Sequence, residues 1–459
     1  MTLLAEQIET ARTVDTLGVE GRVLAATGLT VRASGLPVPV GSLCEIRSAP
    51  GRTIPAEVIG FNQGVTLLMP LVEPRGLTKG RPVRLVTSSQ KVPVGPALLG
   101  RVVDAMVAAC DGNTPISVDA HYPLHRPAPD PMARPRIDAP LSVGIRAINA
   151  MTTIGRGQRI GIYSGTGVGK SILLGMMARY TAADVTVIAF VGERGRELRD
   201  FIARDLGPAG LKRSVLVVST SDQSPPLRMR AAFTATAVAE YFRDQGTDVL
   251  LLMDSLTRMA MAGRQIGLAA GEPPTTKGYP PSVFAALPQL LERCGRTPSG
   301  SITGLFTVLV EADDVNEPIA DATRGILDGH VWLSRKLANR GQYPAVAVTE
   351  SISRVMPDVV SPEHLKAAHR VKQLLATWEE IEDLVNIGAY AAGTNPQFDL
   401  VIAMRPKIEA FLRQEMDQGA DAQESQSALL ALAEQIEKTA AKLEARQNNA
   451  PAAPKEIRG

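Results

Sequence analysis

At 459 residues the chain exceeds what one hydrophobic core usually organises, so two or three domains are expected. A net charge of +2 excludes bulk attraction to nucleic acid or anionic lipid, and apolar runs no longer than a strand exclude a membrane-spanning helix. Cys44, Cys110 and Cys294 lie far apart and fit no zinc spacing, and the N-terminus lacks a secretory leader, so the chain reads as a reduced, cytoplasmic protein.

Residues 2–17 place Leu4, Ile8 and Ala11 at helical spacing behind Thr2 as N-cap, which predicts a short amphipathic helix that needs a partner. From Gly21 to Val86, six short β-rich runs alternate with Gly and Pro turns, the pattern of a small closed barrel. A connector from Tyr122 to Pro140 is too proline-dense for a helix or a central strand. From Leu141 to about Ser361, runs such as RIGIY, VTVIAFV, VLLLM and LFTVLV alternate with helical stretches, which predicts a parallel sheet flanked by helices. Beyond Pro362 the chain reads as helical to about Arg446, with Leu429, Leu432, Ala433 and Ile436 on one apolar face, before a low-complexity tail. The expected division is a helix over 1–18, a barrel over 19–90, an α/β core over 91–362, a helical domain over 363–447 and a tail over 448–459.

The strongest chemical signal is Ser164-Gly165-Thr166-Gly167-Val168-Gly169-Lys170-Ser171, set between a strand and a helical run. Glycines let the backbone approach phosphate oxygens, and loop N–H groups with the helix N-terminus cradle them. Lys170 would reach the β- and γ-phosphates of ATP, Ser171 would ligate Mg²⁺, and Ile172 opens the helix beside them. Serine at position 164, where glycine is usual, is small enough to be tolerated. Asp254 ends the apolar strand VLLLMD, where a carboxylate can hold the hydration shell of the metal. Glu193 and Arg194 follow the strand VTVIAFV: Glu193 as base for the attacking water and Arg194 at the γ-phosphate, or both as part of a charged, solvated loop. Tyr343 could stack on adenine, a contact worth about 1–3 kcal/mol, or sit in the core near a turn. A buried Arg354 could be an arginine finger, worth about 10³–10⁵ in rate, or a structural ion-pair partner.

Longer strings narrow the reading. VGERGRELRDF, the run from Tyr241 to Phe284 (YFRDQGTDVLLLMDSLTRMAMAGRQIGLAAGEPPTTKGYPPSVF), GSITGLFTVLVEADDVNEPIADATRGILDGHVWLSR and YPAVAVTESISRVMPD together resemble the type III export ATPases, relatives of the rotary ATP synthase catalytic subunit. The resemblance covers nearly the whole chain, from the barrel through WEEIEDLVNIGAYAAGTNPQFDLVI. It implies an α/β fold with a RecA-like P-loop core, an N-terminal β-barrel and a C-terminal helical domain. It also implies a homohexameric ring that hydrolyses ATP at subunit interfaces, at the inner face of a membrane export apparatus. On that resemblance Lys170 and Ser171 serve phosphate and Mg²⁺, Glu193 activates water, Asp254 serves the metal shell, Tyr343 meets adenine and Arg354 reaches the neighbouring subunit's site. The implied partners are export-gate membrane proteins and chaperones with their cargo; the loop Gly267–Pro281, which in relatives faces the ring's axis, is expected either to grip a central coiled-coil stalk or to be purely structural. A regulatory protein would bind the N-terminal helix, and no nucleic acid is expected.

PPTTKGYPPSVF looks like the flagellar branch more than the virulence branch. The chain departs from the family pattern in the turn 102–112, at Ala347 where Asp is usual, and at Ser164; none of these removes a catalytic group. A rotary synthase subunit, an RNA translocase and a catalytically dead ring subunit are the alternatives. The first lacks strong similarity here, and the second lacks a basic groove and aromatic platform, since Phe61 is the barrel region's one aromatic. The third conflicts with the presence of Lys170, Ser171, Glu193, Asp254 and Arg354.

Overall fold

The computed structural model describes residues 18–448, apart from 50, 113–114, 311–313 and 315–316. The N-terminal helix and the tail expected from the sequence lie outside the described residues, apart from Gly18 and Asn448. The fold is α/β: a six-stranded barrel, a largely parallel sheet with helices, and a helical C-terminal region.

The barrel strands are β1 (Glu20–Thr27), β2 (Thr30–Ser34), β3 (Leu43–Ala49), β4 (Arg52–Asn62), β5 (Val65–Pro70) and β6 (Pro82–Thr87), closed in the order β1-β2-β5-β4-β3-β6. Alternation drives closure: in β3, Cys44, Ile46 and Ser48 point inward while Glu45 and Arg47 stay exposed. Val31, Ala33, Ile54, Val58, Leu68 and Val83 fill the interior. All six runs read from the sequence are strands.

Four further strands precede the phosphate loop: β7 (Lys91–Val94), β8 (Val102–Asp104), β9 (Ala120–Pro123) and β10 (Arg159–Ser164). β7 and β9 form a separate antiparallel pair, so the proline-dense connector begins inside a ladder, though not in a central strand. Seven more follow: β11 (Val185–Glu193), β12 (Ser214–Thr220), β13 (Asp248–Asp254), β14 (Gly295–Arg296), β15 (Ser301–Leu309), β16 (Gly329–Leu333) and β17 (Ile352–Ser353).

The chain divides into two compact units. Of the described residues, the first comprises those within 18–136, 157–163 and 183–327, and holds the barrel and the sheet order β10-β15-β13-β11-β12-β8. Within it β8, β12, β11, β13 and β15 pair in parallel. All nine residues of β11 are buried, as expected for a parallel strand covered on both faces. The helix Pro225–Asp244 is almost wholly buried, with Arg293 and Glu240 paired at 2.7 Å inside this unit.

The second unit comprises, of the described residues, 137–156, 164–182 and 328–448, so the phosphate loop and its helix group with the C-terminal helices. It contains the helices Lys170–Tyr180, Pro362–Asn386, Pro396–Leu412 and Ala422–Asn448, and the antiparallel pair β16–β17. Ser361 and Asn395 cap their helices through side-chain oxygens, each with proline in the first turn. Leu429, Leu432 and Ile436 are buried and Ala433 is half-buried, which places the expected apolar face inward.

Candidate functional site

The phosphate loop begins where β10 ends. Its helix starts at Lys170, with Gly169 as N-cap at φ 87°, and Gly167 also has positive φ, at 77°. Both glycines occupy the left-handed region that L side chains avoid. Ser164 and Gly165 are buried, and Val168 anchors the loop at 1% exposure. Thr166, Gly167, Ser171 and Ile172 are exposed, and Lys170 is half-buried. The Ser164 hydroxyl is enclosed without a hydrogen-bond partner among the described residues, so serine is accommodated for its size rather than for a polar contact.

In the same unit a cavity of about 190 Å³ opens against this helix. Ile172 and Met176 line one side, Tyr343 and Pro344 another, and Gln414 with Met416 a third. The Tyr343 ring lies so near the loop that a Cβ on Gly169 would stand 3.3 Å from it. Tyr343 is 45% exposed, which removes the core reading of this residue. Its carbonyl accepts from the Gln414 N–H at 3.0 Å. The Gln414 side chain in turn accepts from Arg146 N and donates to Gly144 O, both at 2.8 Å. A half-exposed aromatic face beside a phosphate loop, backed by aliphatic side chains, can sandwich a purine. Sequence reasoning missed the Gln414–Met416 wall, because it comes from a loop far along the chain with no motif of its own.

The other unit carries the carboxylates. β11 and β13 pair so that Phe190 stands opposite Asp254, which brings Glu193 and Asp254 to neighbouring strand ends. Asp254 is 3% exposed, and its Oδ1 accepts from the Thr307 hydroxyl at 2.7 Å. Glu193 is 5% exposed, just past Gly192 at φ 72°. Arg258, on the helix Leu256–Ala270, places Nε 3.0 Å from Glu193 Oε1 and donates from Nη1 to Gly192 O at 2.7 Å. Ser255 caps that helix and so fixes Arg258 one turn beyond the tip of β13. Arg228, on the helix Pro225–Asp244, hydrogen-bonds Gln265. Burial first, and then the Arg258 charge, push the Arg228 guanidinium below its usual range. Arg258 thus meets the carboxylate, and Arg228 stands beside Arg258 and Gly192. Thr307, Arg258 and Arg228 escape a reading of the sequence; the only signal is an arginine four residues beyond Asp254.

Arg194 is exposed and pairs with Glu197 at 3.6 Å. The solvated-loop reading therefore fits Arg194 and the short helix Gly195–Asp200, and does not fit Glu193. Arg354 is exposed rather than buried, a correction to the expectation. Its backbone N–H donates to Asp328 O at 3.0 Å, while its guanidinium has no partner among the described residues. The structural ion-pair reading has no support there.

In the turn 102–112, Arg101 and Asp111 pair at 2.6 Å, and Asp104 Oδ1 accepts the N–H groups of Met106 and Ala108 at 2.8 Å. Val107 takes φ 65° with its side chain buried. No described helix is long and apolar enough to cross a membrane.

Residues 144–353 match the model of the ATP synthase alpha/beta family, nucleotide-binding domain, and residues 360–431 match the T3SS EscN ATPase C-terminal domain. A flagellum-specific ATP synthase of Bacillus subtilis (strain 168) is 50% identical over 420 residues, 90% of this chain and 94% of that protein. A type 3 secretion system ATPase of Xanthomonas euvesicatoria is 49% identical over 399 residues, 87% and 90% of the two chains. The solved structure of the assembled ATPase EscN in complex with its central stalk EscO, from the enteropathogenic E. coli type III secretion system, superposes with a TM-score of 0.83 at 42% identity. That match covers 90% of this chain and all of the other. The chain therefore belongs to the family of flagellum-specific ATP synthases and type 3 secretion system ATPases, and it is an ATP-hydrolysing enzyme.

Proposed function

We propose that this chain hydrolyses Mg²⁺-ATP at the interfaces of a homo-oligomeric ring, and that the cycle drives protein export through a flagellar-type apparatus. The observation that carries the nucleotide reading is the Tyr343 ring set against Gly169 of the phosphate loop, with an apolar cavity beside it. Loop N–H groups and Lys170 hold the phosphates, Ile172 and Tyr343 take adenine, and Glu193 orients the attacking water. Arg258 keeps Glu193 in place between turnovers. Arg194, solvated and paired with Glu197 in this structure, would meet the γ-phosphate only by leaving that pair. The Ser171 hydroxyl and the Asp254 carboxylate are the hard oxygen donors that suit Mg²⁺ and its water shell, and the ion would neutralise charge on the phosphates.

Arg354 acts in the neighbouring subunit's site, for which its exposed guanidinium, without a partner among the described residues, is suited. EscN was solved as an assembly with a central stalk; by analogy a coiled-coil stalk here engages the segment Gly267–Pro281, whose first four residues are the end of the helix Leu256–Ala270 rather than loop. Glu272 and Lys277 of that segment are held at its base, by Ser282 N at 3.3 Å and by Asp314 at 3.3 Å. Truncating both side chains without loss of stalk-stimulated ATPase would remove the loop from this role. The flagellar assignment rests on PPTTKGYPPSVF, since flagellar and virulence relatives are equally similar overall. The same reading places the chain in the cytoplasm at the inner face of the export gate, with chaperones and cargo as clients. A regulatory protein binds the N-terminal helix, and removing residues 1–17 should abolish that complex while sparing ATP binding.

The test is ATPase rate against protein concentration. The rate per subunit should rise with concentration to a plateau and should fall by about 10²–10⁴ in Glu193→Gln, the range of general-base contributions. Activity surviving in Glu193→Gln would overturn the base assignment.

A further inference from the structure

We infer that Lys372 is a positioning residue for Arg354, a role that rests on the finger reading above. An arginine that waits for another subunit's phosphate cannot be aimed by partners of its own, and Arg354 has none among the described residues. Its aim therefore depends on the backbone that carries it, from Thr349 to Arg354. One side of that segment is fixed by β16: Gly329 pairs with Ser353, His330 with Ile352, and Arg354 N–H donates to Asp328 O at 3.0 Å. The Ser351 hydroxyl ties in the same strand, accepting from Trp332 N at 3.0 Å and donating to Ala347 O at 2.7 Å.

The other side is fixed by the helix Pro362–Asn386. Lys372 donates from Nζ to Ser351 O at 2.9 Å, and two turns on, Glu379 accepts from Thr349 Oγ1 at 3.1 Å. Both tethers are charge-assisted, but Lys372 is half-buried whereas Glu379 is exposed, so the lysine bond is the one less screened by water. Burial pushes the Lys372 ammonium below the usual range. A lysine stem of this length could have reached solvent, as most do; here it ends on the finger segment instead. The bond also joins the two family modules, since Ser351 lies within residues 144–353 and Lys372 within 360–431. A shift of the C-terminal helix is thereby passed to the finger three residues away.

Four variants of the full chain test this, Arg354→Ala among them, measured as assembled enzyme with ATP. Lys372→Met should lower kcat about tenfold, in line with the cost of small misplacements in an active site, with KM for ATP and assembled mass unchanged. Lys372→Arg, which keeps a cation in reach of the carbonyl, should recover most of the rate. Lys372→Met added to Arg354→Ala should slow the enzyme no further, because the lysine acts through the arginine. A wild-type kcat in Lys372→Met, or an additive loss in the double variant, would overturn the inference. Should Lys372→Met not assemble, Lys372→Gln takes its place with the same criteria. If Arg354→Ala itself turns over at the wild-type rate, it is the finger reading that fails; an inactive Arg354→Ala beside a fully active Lys372→Met rejects Lys372 alone.

Discussion

Gly169 shows how one residue joins the phosphate and base halves of the proposed nucleotide pocket. It needs positive φ to start the helix Lys170–Tyr180, and it needs no side chain because the Tyr343 ring stands against it. Alanine there meets both constraints, with left-handed strain of about 1–2 kcal/mol. Gly169→Ala should therefore weaken binding of a fluorescent ATP analogue at least about tenfold, while the melting temperature of the nucleotide-free chain changes little. Unchanged affinity would mean that the loop does not hold this conformation with nucleotide bound. The phosphate loop, Asp254 and Glu193 are legible in the sequence because each belongs to a contiguous motif at a strand end. Arg258, Arg228, Thr307 and Gln414 are not, since their contacts are made by strand register and loop packing across long separations. Arg354 is legible as a residue but its exposure is not, because a polar string does not fix which side of a short strand faces out.

At the scale of elements, the C-terminal helices are held by a cluster around Glu382. Lys336 and Arg340 each approach its carboxylate at 2.7 Å, Trp378 Nε1 donates at 3.1 Å, and Arg405 lies 3.7 Å away. Arg405 also stacks over the Trp378 ring at 3.7 Å, a cation–π contact. The Arg340 hydrogen bond, followed by those of Lys336 and Trp378, lowers the Glu382 carboxyl from 4.5 to about 2 despite the opposing effect of burial. A carboxyl with a depressed native pKa contributes its stability in full above 4.5 and loses it as pH falls through about 2. Glu382→Gln should accordingly destabilise by about 2 kcal/mol at neutral pH, less than a fully buried pair would lose, because Lys336 and Arg340 are partly exposed. Denaturant titrations at descending pH should show wild type and variant converging between pH 4.5 and 2; a gap that persists at pH 2 would contradict the assignment. The barrel strands, the central sheet and the long helices are legible because their periodicity spans many residues. The two- to four-residue strands β7, β8, β9, β14 and β17 are not, because so short a run carries no period and forms only against its partner.

At the scale of the whole molecule, the groups assigned to the ATPase reaction are divided between two compact units. The phosphate loop, the cavity at Tyr343 and Arg354 belong to one, and Glu193, Arg258 and Asp254 to the other. Linear motifs give no hint of this division, since the boundaries fall at Tyr163–Ser164 and Ala182–Ala183, next to the motif and its helix. The resemblance to export ATPases, by contrast, is legible over nearly the whole length, because it rests on several long strings where a single motif would be ambiguous. Whether Arg354 completes a site in another subunit is tested most directly by one mixing experiment. Lys170→Ala and Arg354→Ala should each be nearly inactive alone. Mixed in equal amounts and allowed to exchange subunits, they should regain on the order of a quarter of the wild-type rate, because random pairing at a heterologous interface sets an intact loop against an intact finger that often. If the mixture stays as inactive as its components although exchange is shown by mass, Arg354 serves its own subunit and the finger reading is wrong.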